Sequence, residues 1–244
     1  MQKTILAVAA VLALTALPTL SHAEDASPLS FNVGVTSDYR YRGISQSRVK
    51  PALQGGVDYA LPAGFYIGAW ASTIKWIKDA GGDANVEVDL YGGYKNEIVK
   101  DLTLDVGVLT YQYPSNKLAV NANTTELYGA LTFGPATVKY SHAVTNTFGN
   151  ASSKNSFYLE AAASFEVGGG VTLTPHVGYQ KIKGPASDPG SYTDYSLTAS
   201  MDFSGFVVSA GVVGTDADKT FYSSPINGKE LGKPGLVLAV KKTF

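Results

Sequence analysis

Phe31-Asn32-Val33-Gly34-Val35-Thr36-Ser37-Asp38-Tyr39-Arg40-Tyr41-Arg42 reads as two interleaved series. One parity holds Phe31, Val33, Val35, Ser37, Tyr39 and Tyr41. The other holds Asn32, Gly34, Thr36, Asp38, Arg40 and Arg42. A strand turns successive side chains to opposite faces, so this segment predicts a strand with one apolar and one polar face. A run of about twelve residues exceeds the usual soluble strand of five or six. It suits a tilted strand that crosses a membrane.

The same alternation recurs along the chain. Leu53, Gly55, Val57, Tyr59 and Leu61 oppose Gln54, Gly56, Asp58 and Ala60. Val86, Val88, Leu90, Gly92 and Tyr94 oppose Glu87, Asp89, Tyr91, Gly93 and Lys95. Comparable pairs of series cover 102–108, 126–133, 157–167, 194–203 and 236–241, with weaker ones over 65–76, 136–147, 171–182 and 206–215. The sum is about twelve strands, and no stretch carries an apolar stripe of helical period over helical length. The connections alternate as well. Short turns at 62–64, 96–100, 134–135, 168–170 and 204–205 exchange with long polar segments near 43–50, 77–84, 114–123, 148–155, 183–191 and 216–233. An even strand count with short turns on one rim and long loops on the other is the pattern of a bacterial outer-membrane barrel. The expected fold is all-β: a transmembrane up-and-down antiparallel β-barrel of about twelve strands.

Residues 1–23 read as a secretory signal peptide. Lys3 supplies the positive start, Ile5 to Leu17 the apolar run, and Ser21-His22-Ala23 the small residues before a cut at Glu24. The apolar run is too short to span a bilayer as a helix, which takes about 20 residues. Residues 24–244 form the expected barrel domain, and the expected location is the outer membrane of a Gram-negative bacterium. The terminal Phe244 shares parity with Leu238 and Val240, a last strand suited to the barrel-assembly machinery. Lys242 interrupts that face near its end, where a lysine can snorkel. The chain has no cysteine, which excludes disulfides, thiolate chemistry and a lipid-modified cysteine. Its net charge of −1 offers no basic surface for nucleic acid.

A soluble β-sandwich would have shorter strands and would not sort its loops in this way. A soluble barrel would also bury its apolar face, yet here the polar face carries too many charges for a small dry core. A watery lumen accommodates them. Asp38, Arg40, Arg42, Asp58, Glu87, Asp89, Asp105, Glu126, Lys139, Glu160, Asp194 and Asp202 are the expected pore-lining residues. Tyr39, Tyr41, Tyr59, Tyr94 and Phe133 belong to the outward parity near strand ends, as interfacial girdles require. Tyr66, Trp70, Tyr91 and Tyr158 fall on the inward parity. Twelve strands about 4.8 Å apart and tilted ~40° give a backbone diameter of roughly 23 Å and a channel of about 10 Å at most.

Catalytic patterns are sparse. His142 and His176 lie on non-adjacent strands, with no ligand spacing for a metal. Nucleophile-elbow and phosphate-loop motifs are absent from the sequence, and no cofactor is expected. The reading is a porin for ions and small polar solutes, surrounded by outer-membrane lipid. The alternatives are a closed structural barrel whose outer loops bind a partner and a lipid-acting hydrolase using His142. Inward acids outnumber inward bases, which predicts a mild preference for cations.

The opening Phe31 to Ser47, the following hairpin Pro51-Ala52-Leu53-Gln54-Gly55-Gly56-Val57-Asp58-Tyr59 with Gly64-Phe65-Tyr66-Ile67-Gly68, and the ending Lys242-Thr243-Phe244 resemble the TorF family of proteobacteria, also called the Gcw_chp family. The resemblance covers about the first 50 residues after the leader in detail, and the rest by strand pattern. It implies an outer-membrane β-barrel assigned as a porin and brings no binding residues with it.

Overall fold

The computed structural model describes residues 27–244; the expected leader at 1–23 lies outside them. Twelve antiparallel barrel strands follow one another in chain order. They are β1 (Leu29–Thr36), β2 (Ala52–Ala60), β3 (Phe65–Thr73), β4 (Val86–Val99), β5 (Leu102–Gln112) and β6 (Thr124–Phe133). The second half holds β7 (Ala136–Ala143), β8 (Phe157–Ala163, continued by Phe165–Gly168), β9 (Val171–Lys181), β10 (Tyr192–Phe203), β11 (Phe206–Thr215) and β12 (Gly235–Thr243). Each strand pairs with its neighbour in sequence, and β12 returns to β1, with Asn32 opposite Thr243 and Thr36 opposite Ala239. The sheet is therefore closed and leaves no unpaired edge, as hydrocarbon requires.

The break in β8 has a local cause. Ala162 faces His176 and Phe165 faces Leu173, which puts Pro175 of β9 beside the gap at Ser164. Proline has no N–H to donate to a ladder. Ser164 turns instead to the turn below, donating its N–H to Pro135 O at 3.0 Å.

Short turns at 61–64, 100–101, 134–135, 169–170 and 204–205 share one rim with both described ends of the chain. There Phe31 and Phe244 exchange backbone hydrogen bonds of 3.1 and 2.8 Å. Six long loops occupy the other rim: L1 (37–51), L2 (74–85), L3 (113–123), L4 (144–156), L5 (182–191) and L6 (216–234).

The outside is apolar and exposed, with Val35, Leu53, Ile67, Leu127, Leu197 and Leu238 at about half their full surface. Aromatic residues gather at both rims of this band. Phe65 packs on Tyr94 at the turn rim, and Phe157 packs between Tyr140 and Tyr179 at the loop rim. Lys242 lays its ammonium 4.5 Å from the ring centre of Phe206 and 5.2 Å from that of Phe244. A lysine at that depth keeps its head at the interface and gains from the ring faces.

Two members of the expected girdle are not there. β1 ends at Thr36, short of the strand read over Phe31 to Arg42. Ser37 donates its N–H to Leu238 O at 2.8 Å, and the Thr36 hydroxyl donates to Asp38 O at 3.1 Å. The chain then leaves the wall and turns inward. Tyr39 and Tyr41 are 0% and 9% exposed, so they belong to the interior. Tyr59 and Phe133 remain outside, at 41% and 64% exposure.

Inside the barrel, tyrosines lie across glycines of neighbouring strands. Tyr66, Gly93, Gly107 and Tyr128 stand in one row across β3 to β6. The two rings fold over the two glycines from either side, and their hydroxyls meet. Tyr66 also donates to Asp105 at 2.6 Å. Tyr91 crosses Gly68 to reach Asp58, and Tyr158 crosses Gly178 to reach Asp194 at 2.8 Å. A glycine that gives up side-chain packing on a strand is thus covered by a neighbour's ring.

The row sets a test. A Cβ on Gly107 would sit 2.5 Å from the Tyr128 hydroxyl and 2.6 Å from Gly92 O, whereas one on Gly129 meets nothing closer than 3.8 Å. Gly107→Ala should destabilise the barrel by about 1–3 kcal/mol while Gly129→Ala leaves it nearly unchanged, read as the unfolding midpoint of detergent-solubilised protein. Equal midpoints for the two variants would remove the tyrosine row from the account.

Candidate functional site

L1 carries a small hairpin into the lumen at the loop rim. Arg40–Tyr41 pairs with Ile44–Ser45, and the two residues between them, Arg42 and Gly43, have φ of 46° and 78°. Two-residue hairpin turns with positive φ at both positions favour asparagine or aspartate followed by glycine. Arg42 in that place costs about 1–2 kcal/mol of backbone strain. Gly43 has no substitute, because a Cβ there would meet Thr215 and stand 2.8 Å from Asp194 Cβ.

The contacts of Arg42 offset the strain. Its guanidinium donates to both carboxylate oxygens of Glu126 on β6, at 3.1 and 2.7 Å, and to Gln180 Oε1 on β9 at 2.6 Å. It also lies 4.2 Å from the ring centre of Tyr158 on β8 and 4.8 Å from that of Tyr41. Arg42 and Glu126 are both almost wholly buried. A two-toothed arginine–carboxylate pair at low exposure is strong only when its remaining bonds are filled. Here Gln180 and Tyr111 fill them, the latter 3.2 Å from Glu126 Oε2.

The rest of the hairpin is tied across the mouth. Tyr39 donates to Glu87 on β4, and Tyr41 bonds Tyr111 on β5 at 2.9 Å. Arg40 donates to three backbone carbonyls, of Gly43, Leu231 and Lys233, at 3.0, 2.9 and 3.1 Å. Its Nε pairs with Asp38 Oδ2 at 2.5 Å. The other Asp38 oxygen accepts from Ser45 and Ser47. Asp38 and Arg40 therefore stitch the hairpin together, rather than standing on a strand face as read from the sequence. Of the three, only Arg42 reaches the opposite wall.

Below the hairpin the wall is divided. On β2 to β5 stand Asp58, Glu87, Asp89 and Asp105, among Tyr66, Trp70 and Tyr91. Among the described residues, Asp89 Oδ1 and Asp105 Oδ2 are buried and accept no hydrogen bond. On β7 to β10 stand Lys139, Glu160, His176 and Asp194. His176 lies between the two acids, 3.1 Å from Glu160 and 3.5 Å from Asp194. Lys139 rests its ammonium 4.4 Å from the ring centre of Tyr128. Asp202 is placed differently from the other eleven expected residues. It is exposed at the turn rim and accepts from Gly205 N at 2.8 Å. The sequence reading omitted His176, Gln180, Tyr111 and Tyr113 from the interior set. All four have the inward parity of their strands, and the two strand-end tyrosines were hidden by continuity with L3.

His142 stands outside, with Nδ1 3.1 Å from the Tyr140 hydroxyl and Nε2 3.3 Å from Asn155 Oδ1. Neither neighbour is an activated nucleophile. Among the described residues no three His, Asp or Glu side chains converge as metal ligands.

Residues 22–244 match the model of a family described as a bacterial protein of unknown function (Gcw_chp). No curated protein matches the chain. Among solved structures, a KdgM porin aligns with a TM-score of 0.55 at 8% identity, over 88% of this chain and 98% of that one. A NanC porin aligns at 0.54 and 11% identity, over 88% and 98%. LpxR from Salmonella typhimurium aligns more loosely, at 0.44 and 11% identity over 88% and 99%. At these identities the two porins share the fold.

Removing one partner from a buried pair leaves an uncompensated charge and costs about 3–5 kcal/mol. Arg42→Ala should show that loss in the unfolding midpoint. Arg42→Ala with Glu126→Gln should recover a good part of it, because the stranded carboxylate is gone. A double variant no better than the single one would contradict the pairing.

Proposed function

The chain belongs to the Gcw_chp family, and we propose that it is an outer-membrane channel through which ions and small polar solutes diffuse. The observation that carries this reading is the division of the closed sheet: apolar outward, charged inward. The expected setting is a Gram-negative outer membrane, reached by way of a cleaved leader at 1–23 and assembled through the C-terminal strand. The long loops then face outside and the short turns face the periplasm.

Fixed charges on a narrow, low-dielectric wall raise the local concentration of the opposite ion. Most lumen acids have a partner: Glu126 holds Arg42, Asp58 holds Tyr91, and Glu160 and Asp194 hold His176. Among the described residues, Asp89 and Asp105 each keep one buried oxygen without a protein donor, and in this reading movement of L1 uncovers them to a passing cation. L1 narrows the outer mouth, and Arg42 is its positive tip. The channel in this reading is small, cation-preferring, and opened by movement of L1.

The second reading is a closed barrel that acts through its loops. It is favoured by the burial of Tyr66, Tyr128, Lys139, Thr174 and Thr198 inside the barrel, which leaves little room in this conformation.

Planar bilayers separate the two. The wild type should show small single-channel steps and a cation-selective reversal potential in a salt gradient. Arg42→Ala should raise both conductance and cation preference, and Asp89→Asn should lower the preference. An anion-selective wild type would defeat the carboxylate account. Silence of both the wild type and Arg42→Ala would select the closed barrel.

A further inference from the structure

Above the L1 hairpin lies a cavity of about 440 Å³ that all six long loops or their adjoining strand ends help to line. That volume is in the range of small-molecule sites. Its walls come from two separate aromatic groups. Trp76 stands edge-on to Tyr113, with ring centres 5.1 Å apart, and Phe148 packs on Tyr41 at 5.3 Å. On the other side Tyr222 stands edge-on to both Tyr192 and Phe221, at 5.0 and 4.9 Å. Diffusion of simple ions gives no reason for a mouth built this way.

The charges of the lining point to one class of occupant. Asp79 is the sole acid in it, and no lysine, arginine or histidine lines it. Asp79 is itself held from outside the lining by Arg48, through both oxygens. Arg42 borders the floor through Gln180 and Tyr41, but its charge is matched by Glu126 as that of Asp79 is by Arg48, so the cup has no net charge and its aromatic rings set its potential. Aromatic faces carry negative charge density and attract cations, more so where water is excluded. Beneath the cup the wall continues through Tyr39, Glu87 and Asp89, whose Oδ1 has no partner among the described residues. A small inorganic cation would lose hydration in such a cup with no oxygen cage to replace it. An organic ammonium loses little, and its apolar body matches the aromatic walls.

The geometry points to an outer binding site for an organic cation, an alkylated or aromatic ammonium compound, held between the Trp76–Tyr113 and Tyr192–Tyr222 groups above L1. This inference names a solute class for the proposed channel and rests on that reading only for the passage of the solute. Binding in the cup does not require conduction. Nor does ion conduction require the cup.

The two tryptophans, Trp70 and Trp76, allow a direct readout. Trp70→Phe leaves the cup tryptophan as the sole reporter. Phenyltrimethylammonium should change its fluorescence saturably. 4-tert-Butylphenol, of similar shape and neutral, and benzenesulfonate, of opposite charge, should each bind at least about tenfold more weakly. Calorimetry on the wild type repeats the comparison without any substitution. Tyr222→Ala should weaken the cation about tenfold. Equal binding of the neutral probe, tighter binding of the anion, or an unaffected Tyr222→Ala would each overturn the inference. Cation-selective conductance with no saturable ammonium binding would overturn it and leave the channel standing. Saturable binding in a protein that never conducts would keep the cup and remove the channel.

Discussion

Closure of the sheet in hydrocarbon is the condition on which everything else rests. Every backbone donor and acceptor in the spanning region must find its partner in the ladder, since lipid offers none. The pairing of β12 with β1 completes that ladder. Once it is complete, side-chain parity leaves no choice. Residues facing lipid must be apolar, so all the polar chemistry of the chain is forced inward. Twelve strands make a narrow tube, and the inward groups must then satisfy one another at short range or be reached by water. Tyrosines that span a glycine to reach an acid two strands away are one answer. Tyr91 over Gly68 to Asp58, Tyr66 over Gly93 to Asp105, and Tyr158 over Gly178 to Asp194 repeat the same device on different walls. The glycine makes room, the ring fills it, and the hydroxyl satisfies a carboxylate.

L1 solves the same problem at the open end. The mouth has acids on several strands and no sheet above it to pack against. A hairpin folded inward brings its own cations. Arg40 is used up by loop carbonyls and Asp38, so its charge holds the hairpin in shape. Arg42 is held in a strained backbone conformation and joins L1, which leaves the wall between β1 and β2, to the opposite sector of the ring on β6, β8 and β9. A residue that keeps a left-handed turn against its own preference is one whose side chain is worth more in place than the strain costs. Such an arrangement is bistable in principle. Breaking the buried Arg42–Glu126 pair removes the contact that offsets the strain, while Tyr39, Tyr41 and Arg40 still tie the hairpin to the wall and to L6.

Much of the architecture was legible from period and spacing. Alternating parity fixed which face of each strand is apolar, and the turn-length rhythm assigned the rims. L1 was not legible, for a definite reason. A hairpin that folds into the lumen keeps period two, so Tyr39-Arg40-Tyr41-Arg42 continues the rhythm of β1 without a visible break. The signal that stood there was Arg42-Gly43 between two extended pairs, a two-residue turn with glycine second. Arginine in the first position disguised it. The parity rule also misassigned Tyr39 and Tyr41, because after the chain leaves the wall the outward series no longer points to lipid. His176 has the inward parity of β9, yet its acidic neighbours Glu160 and Asp194 come from strands on either side of it. Their meeting depends on register, which the hydrophobic pattern of single strands leaves open.

A count of inward acids and bases treats all fixed charges alike, and the structure separates them. A carboxylate whose oxygens are filled by Arg42, His176 or a tyrosine hydroxyl contributes to the shape of the lumen. Its field is largely cancelled at short range by the partner's charge or dipole. The buried oxygens left without a donor, on Asp89 and Asp105, lie on the same sector of the wall as Tyr66, Trp70 and Tyr91, and below the aromatic cup. In the proposed channel, a cation entering between the rings of L2, L3 and L6 would be turned away from Arg42 and toward this sector. Selectivity in such a tube depends less on net charge than on which charges have been left without a partner.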